Sequence, residues 1–314
     1  MKKKRKVLVW IVLGTVFLAM YNVRLNQTFD ITSCLVVSPK IPAEFNGYTI
    51  VQISDFHSLE EEAFRGKLLD AVRQESPDII VITGDLVDAG IYAKEAADLA
   101  SGSREGLPGA SAADFTKTLT KIAPVYYIYG NHEMILLDDP ENNLFKVSLE
   151  EMGVQILNNS LVLLERDDAS IQLAGIQDPA TLYKDPVLAD SGQNTRERTE
   201  AMLEYLSPAI DPGCFTVLLA HRPEYVDVYA RYPVDLVLAG HAHGGQIRLP
   251  LMREGLYAPN QGVLPRYTNG SYKVGSLEMI VSRGLGNSVI PVRFLNSPEL
   301  VVIKLTNNGS DDTM

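Results

Sequence analysis

Cysteine and positive charge are scarce in this chain, and each scarcity excludes something. Its two cysteines among 314 residues, Cys34 and Cys214, have no metal-type spacing, so no cysteine-built metal centre or disulfide framework organises the fold. The plain reading is two unpaired small apolar residues; a single disulfide is the alternative open to an exported protein. Bases number 28 against 39 acids, and five of those bases, Lys2, Lys3, Lys4, Arg5 and Lys6, lie in the first six residues. An acidic body of this kind is a poor platform for nucleic acid, whose affinity comes largely from Lys and Arg on phosphates. No nucleic-acid partner is expected. Internal repeats and heptads are also lacking, which removes solenoids and coiled coils. What is present is 46% apolar, too much for disorder. About 270 residues beyond the N-terminal segment suffice for one large domain with a two-sheet core.

The basic cluster at 1–6 precedes an apolar stretch, Val7 to Tyr21, which reaches Leu25 across Asn22 and Arg24. The layout predicts a transmembrane or signal-anchor segment over 7–25, somewhat short against the roughly 20 apolar residues a spanning helix needs. A cleaved export signal has the same charge layout, but no A-x-A pattern follows the apolar run. By the positive-inside rule, the basic end stays cytoplasmic and the remainder faces outward. The expectation is a single-pass anchor in the cell membrane with an extracytoplasmic domain, or a secreted protein if the segment is cut. Residues 26–45 read as a linker and first strand region, 46–305 as the main domain and 306–314 as a polar tail.

Five histidines are present, and all fall in short polar motifs at the ends of apolar runs. Tyr48 to Ile53 leads to Asp55-Phe56-His57, Asp78 to Thr83 to Gly84-Asp85-Leu86-Val87-Asp88, and Val125 to Tyr129 to Gly130-Asn131-His132-Glu133. Farther on, Phe215 to Ala220 leads to His221, and Val234 to Ala239 to Gly240-His241-Ala242-His243. Runs of this length, rich in Val, Ile and Tyr, read as buried strands. Residues just beyond the carboxyl ends of several strands converge in one crevice in open α/β sheets. Helical spacing is predicted over 58–74, 93–99, 112–122, 143–152 and 195–206, further strands over 154–157, 161–165 and 171–176, and a lid over 180–194. Early βαβ units followed by more β than α suggest two packed sheets flanked by helices.

The motifs can be read chemically. Asp55 and His57, one residue apart on an extended end, can hold one cation. Asp85 closes a buried strand, where an unpaired carboxylate is costly, and its two oxygens let it bridge two ions roughly 3.5–4 Å apart. Asn131 offers a neutral oxygen, and His221, His241 and His243 offer nitrogens, with the last two placed to serve different ions. His132 suits an acid for a departing oxygen, with Asp88 as the carboxylate that keeps it oriented and charged. Asp88 has a second reading as a helix or turn cap, and Glu133 reads as structural. A single histidine at a strand end is usually a structural residue; the whole set in this order is not.

The order D-x-H, G-D-x-x-D, G-N-H-E, lone H and G-H-x-H over residues 48–245 resembles the calcineurin-like metallophosphoesterase superfamily. Gly240 to Pro250, the Ser282-Arg283-Gly284-Leu285-Gly286 turn and the segment Pro291 to Glu299 resemble its membrane-associated bacterial YkuE/YaeI-type branch. The resemblance implies an α/β, four-layer αββα sandwich of two mixed β-sheets. It implies Asp55, His57, Asp85 and His243 as ligands of a first metal, and Asp85, Asn131, His221 and His241 as ligands of a second. His132 with Asp88 behind it would be catalytic. Two divalent ions are expected, Mn, Fe or Zn in view of the mixed N and O donors. Arg283, Arg293, Arg248 and Lys273 are candidates for gripping a second phosphate or head group. The implied reaction is hydrolysis of a phosphodiester, pyrophosphate or phosphomonoester, in a lipid or cell-envelope substrate by analogy with UDP-2,3-diacylglucosamine pyrophosphatases, although an outward-facing domain argues against a cytoplasmic nucleotide-sugar lipid. A broad phosphomonoesterase or cyclic-nucleotide phosphodiesterase is the alternative enzyme, and a non-catalytic metal-binding envelope protein the alternative outside enzymes. Ala89 after Asp88, where protein Ser/Thr phosphatases carry Arg, disfavours that activity.

Overall fold

The computed structural model describes residues 2–103, 105–137, 144–181, 194–249, 254–287 and 293–308; in the first helix, the side chains of 2–9, 11 and 19 lie outside the description. The chain runs α1 (Lys2–Asn26), β1 (Asp30–Val37), β2 (Thr49–Ile53), α2 (Glu62–Glu75), β3 (Ile79–Thr83), α3 (Ala89–Ala100), α4 (Ala110–Leu119), β4 (Val125–Ile128), α5 (Leu144–Glu151) and β5 (Gln155–Ile156). It continues through β6 (Ser160–Arg166), β7 (Ala169–Gly175), α6 (Thr195–Leu206), β8 (Thr216–Leu219), α7 (Val226–Tyr229), β9 (Leu236–Ala239), β10 (Tyr257–Ala258), β11 (Gly262–Val263), β12 (Gly270–Val274), β13 (Leu277–Val281) and β14 (Glu299–Thr306).

Two six-stranded sheets form, in the orders β1-β14-β2-β3-β4-β5 and β12-β13-β9-β8-β7-β6. Both are mixed. In the first, β2, β3, β4 and β5 are parallel while β14 runs antiparallel to β2. In the second, β7, β8, β9 and β13 are parallel, with antiparallel β6 and β12 at its edges. The inner strands are buried along their length, which explains why they read as continuous apolar runs. Ile50, Val81, Ile128, Val217 and Leu238 meet in a core between the sheets. A second core, with Phe64, Leu68, Phe115 and Phe145, packs α2, α4 and α5 on the first sheet, and a third, with Met202, Leu203 and Val228, packs α6 and α7 on the second. The layering is therefore helices, sheet, sheet, helices. Parallel strands in both sheets place their carboxyl ends along one edge, and Gln52 joins the sheets there by donating to the carbonyl of Ala239 at 2.9 Å and to the Thr83 hydroxyl at 3.0 Å.

Local departures from the sequence reading have physical causes. α2 starts at Glu62 rather than 58 because Ser58 is left-handed, at φ 52°, and 54–59 turn around the site before the helix begins. α6 occupies 195–206 as expected, with the Asn194 side chain accepting from the N–H groups of Arg196 and Glu197. Cys34 and Cys214 are both free, so the disulfide alternative is set aside. The lid expected at 180–194 lies, apart from its ends, outside the described residues, as does the tail beyond 308. The N-terminal segment forms a 25-residue helix with Trp10, Leu13, Phe17 and Met20 exposed. Among the described residues, no helix is long and apolar enough to cross a membrane.

Candidate metal centre

Five strand ends deliver the seven ligand candidates to one place. β2 carries Asp55 and His57, β3 carries Asp85, β4 carries Asn131, β8 carries His221, and β9 carries His241 and His243. Asp55, His57, Asp85 and His243 offer one ligand atom each within 4.8 Å of one another, and so do Asp85, His221 and His241. Asp85 belongs to both groups. Its Oδ2 lies 3.7 Å from His57 Nε2 and 3.2 Å from His221 Nε2, while its Oδ1 accepts the His132 N–H at 2.9 Å. Asn131 Oδ1 is 3.3 Å from His221 Nε2, and His241 Nδ1 is 3.2 Å from the same nitrogen. On the other side, His57 Nε2 and His243 Nε2 face each other at 3.3 Å, and the latter is 3.3 Å from Asp55 Oδ1.

The backbone is bent to achieve this. Asp55, His57, Asp85, His241 and His243 all have left-handed φ, between 47° and 65°, a conformation costing an L-residue roughly 1–2 kcal/mol. Strain of this kind persists where surrounding structure over-determines it. Hydrogen bonds from Asp55 N–H to Gly84 O, His57 N–H to Asp85 O and Gly240 N–H to His221 O supply that support, and so does Glu133. This fully buried carboxylate accepts from the N–H groups of Asp85, Val87 and Gly130 at 2.7–3.1 Å, tying the second and third motifs together. Two glycines leave the necessary room: a Cβ on Gly130 would stand 2.3 Å from Asp85 Oδ1, and one on Gly240 2.5 Å from Asp55 Oδ2.

Charge is balanced unevenly. Burial would raise Asp85, but the His221 cation outweighs it and holds the carboxyl well below the usual range. Burial would likewise lower His221, yet the charge and hydrogen bond of Asp85 raise it to about 10. Burial lowers His57 to about 4 and, with neighbouring imidazoles, holds His241 and His243 well below the ordinary histidine range. Burial also pushes Asp55 up to about 6. One proton, on His221, thus compensates Asp85, while burial keeps the other three imidazoles neutral.

That donor set fits two divalent ions sharing Asp85. The His221 Nδ1–H donates to Thr83 O at 2.7 Å, leaving Nε2 as the ligand atom. His241 turns Nδ1 inward, because its Nε2 is 2.8 Å from the Asn260 side-chain amide. His57 Nδ1 is buried without a hydrogen bond and lies 3.7 Å from Asp88 Oδ2.

His132 sits at the rim, with 17% of its side chain exposed. Its Nδ1 is 3.5 Å from Asp88 Oδ2 but accepts the Ala89 N–H at 3.1 Å, which leaves the proton on Nε2. Asp88 Oδ1 meanwhile caps α3 through the Ile91 N–H at 2.9 Å. Both readings of Asp88 therefore meet in one side chain, and the Ala89 N–H is closer to the ring than the carboxylate.

The arginines are placed differently from the expectation. Arg293 is fully buried with its guanidinium against His243 Nδ1, at 3.3 Å, so it faces a ligand candidate and is not exposed to grip a substrate group. Arg283 bonds Asp30 and Glu299 at 3.0 and 3.1 Å, and with Arg248 it lines a cleft of about 440 Å³ beside Tyr21 and Leu25 of α1. Lys273 is exposed on edge strand β12. Residues that sequence reasoning missed include Asn260 and the Arg222–Asp178 pair, bonded at 2.7 and 3.1 Å beside His221. Neither belongs to a recognisable motif.

Two mixed sheets whose parallel strands end in a shared-carboxylate Asp/His cluster define a metal-dependent phosphoester hydrolase. The chain belongs to the calcineurin-like phosphoesterase family, whose profile matches residues 48–245. It is 31% identical over 284 residues to the uncharacterized metallophosphoesterase YkuE of Bacillus subtilis, covering 89% of this chain and 86% of that one. It is 27% identical over 233 residues to the phosphodiesterase YaeI of Escherichia coli, covering 74% and 72%. A zebrafish (Danio rerio) relative named as a transmembrane protein with a metallophosphoesterase domain is 28% identical over 311 residues, covering 93% of this chain and 61% of that one.

Proposed function

We propose that the chain is a two-ion phosphodiesterase, tethered to a membrane by α1, that cleaves a phosphodiester or pyrophosphate in an amphiphilic envelope molecule. The observation that carries the two-ion reading is Asp85 Oδ2, within 3.7 Å of imidazoles from both halves of the cluster. When bound, two divalent ions, Mn, Fe or Zn by donor chemistry, supply charge for the phosphoryl oxygens and an acidified water for in-line attack. Asp55, His57, Asp85 and His243 would hold the first ion, and Asp85, Asn131, His221 and His241 the second. His132 would present its Nε2–H to the departing oxygen, acting as the general acid. The Ala89 N–H and Asp88 orient that ring. A purely structural metal site has no use for an imidazole held at the rim beside the ligands, which weighs against a non-catalytic envelope protein.

Tethering is supported by the basic first turn, by the exposed apolar side chains of α1 and by the naming of the zebrafish relative. The charge layout supports a domain outside the cytoplasm. A diester is preferred because YaeI is named a phosphodiesterase; a broad phosphomonoesterase is the competing reading. Manganese-loaded protein assayed on bis-p-nitrophenyl phosphate and p-nitrophenyl phosphate ranks the two. Asp85→Asn is expected to lose both ions and turnover, whereas His132→Gln keeps both ions and loses about 10²–10⁴-fold in kcat. Full turnover in both variants would sink the mechanism.

A further inference from the structure

Helix α1 is exposed along nearly all of its described length, yet its last turn is bonded into the domain. Asn22, 7% exposed, is the one buried residue among its described side chains. Asn26 follows one turn later on the same face. Asn22 Nδ2 donates to Arg293 O at 2.8 Å, and its Oδ1 accepts the Leu295 N–H at 2.9 Å. Asn26 repeats the pattern on Arg293 alone, donating to O at 2.9 Å and accepting from N–H at 3.3 Å. A carboxamide offers the same donor and acceptor as a peptide group, so these two side chains serve 293–295 as a neighbouring strand would.

The segment they hold carries the largest fully buried side chain among the described residues. Arg293 donates from Nη1 to Arg283 O at 2.6 Å and from Nε to Gly286 O at 3.2 Å, and its Nη2 lies 3.3 Å from His243 Nδ1. Its carbonyl partners belong to the turn that backs Asp55. In that turn, Leu285 N–H donates to Ser54 O at 3.0 Å and Gly286 N–H to Asp55 O at 2.6 Å, and a Cβ on Gly284 would stand 2.7 Å from that of Asp55. No carboxylate contacts the guanidinium among the described residues. A buried cation without a paired anion is expensive, which argues for a positioning role over a stabilising one. Arg293 therefore joins the backing of Asp55 to the ring of His243, both candidate ligands of the first ion and neither a ligand of the second.

We infer that the seating of α1 sets the geometry of the first ion site: Asn22 and Asn26 fix 293–295, and through it Arg293 positions Asp55 and His243. The inference rests on the two-ion reading of the cluster. Asn131 and His221 have no contact with this relay, and His241 meets it only through its backbone N–H, which donates to Asp55 Oδ1 at 3.0 Å and Oδ2 at 3.1 Å while its ring is held by Asn260, so the second site feels the helix less than the first. The N-terminal helix is thus a working part of the metal centre in addition to being a tether, and a force on the helix acts on the first ion more than on the second.

The test is manganese titration of the full chain in detergent, by calorimetry with electron paramagnetic resonance to detect the coupled ion pair. In Asn22→Ala/Asn26→Ala, one ion keeps its affinity, the other weakens by about 10–100-fold, the range for loss of a ligand's supporting contacts, and the coupled-pair signal is lost. Arg293→Lys gives the same pattern, and Phe17→Ala, on the exposed length of the helix, leaves both ions unchanged. Two unchanged affinities in a folded double variant overturn the inference, as does equal weakening of both. If the double variant does not fold, Asn26→Ala, which leaves the Asn22 bonds in place, must still weaken one ion selectively. A wild type that binds two ions but hydrolyses no phosphoester counts against the proposed reaction alone; one that binds fewer than two counts against the two-ion reading and this inference together.

Discussion

The two halves of the cluster share Asp85 and are otherwise built on different principles. In the half formed by His221, His241 and Asn131, the two histidines are 20 residues apart on successive strands of one sheet, and the His221 ring is pinned by the Thr83 carbonyl. In the half formed by Asp55, His57 and His243, the facing imidazoles come from positions 186 residues apart. All three of its own ligand candidates are left-handed, and their supports are the 282–286 turn and Arg293, brought in from late in the chain. The Asp55 half is assembled at longer range than the His221 half, whose two histidines end neighbouring parallel strands. Protons divide the same way, with the raised pKa of His221 in one half and the raised pKa of Asp55 in the other.

The largest expected effect separates the halves by stability. His221→Ala removes a ligand and also the internal cation of Asp85, leaving a buried carboxylate uncompensated, at a cost of about 3–5 kcal/mol in ion-free protein. His243→Ala removes a neutral imidazole that compensates no buried carboxylate, and the loss of stability is smaller. Both lose one ion and at least several kcal/mol of catalysis. Thermal melts in chelator, paired with ion counts, read the difference; equal melting temperatures for the two variants would contradict the asymmetry.

Next comes the pH dependence. Because the folded pKa of His221 is raised to about 10 from the ordinary 6.5, the stability it contributes without ions is full below about 6.5 and lost as pH rises through 10. Ion binding at the second site must expel that proton, so its affinity climbs with pH across this window, by up to about tenfold per unit for one proton released. The first site has imidazoles that are already neutral. It depends instead on Asp55, raised to about 6, and loses affinity as pH falls through 6 with little change above it. Manganese titrations between pH 5.5 and 9 resolve the two profiles, and parallel profiles for both ions would remove the distinction.

Seven ligand candidates were legible because each stands next to an apolar strand, and a strand's end can be read from where its Val and Ile run stops. The two sheets and α6 were legible for related reasons: continuous runs for inner strands and helical spacing for 195–206. The left-handed turns that aim Asp55, His57, Asp85, His241 and His243 were not, since only the glycines beside them hint at close approach and the bent residues themselves are ordinary. The place of Arg293 was misread for a deeper reason. An arginine near a phosphoesterase motif suggests a phosphate, and nothing local reveals that its guanidinium is buried against backbone carbonyls. Asn22 looked like a polar residue at the end of an apolar run, and Asn26 like the start of a linker. Their partners lie 267 to 273 residues away, beyond the reach of any periodicity.

The smallest effect concerns Asp88, where the His57 half and the rim residue meet, at 3.7 Å from His57 Nδ1 and 3.5 Å from His132 Nδ1. Its Oδ1 caps α3, so Asp88→Ala should cost about 1 kcal/mol of stability. Asp88→Asn keeps an acceptor at the cap and the melting temperature with it, but withdraws the charge from both imidazoles. If Asp88 acts on the chemistry through its charge, Asn lowers kcat while ion affinities at the second site stay fixed, and Ala is no worse than Asn in kcat once the comparison is made well below its melting temperature. If the residue is a cap and nothing else, Asn restores kcat along with stability. The Ala89 N–H, which holds His132 Nδ1 in every version of the side chain so long as α3 is intact, is why the effect should be modest.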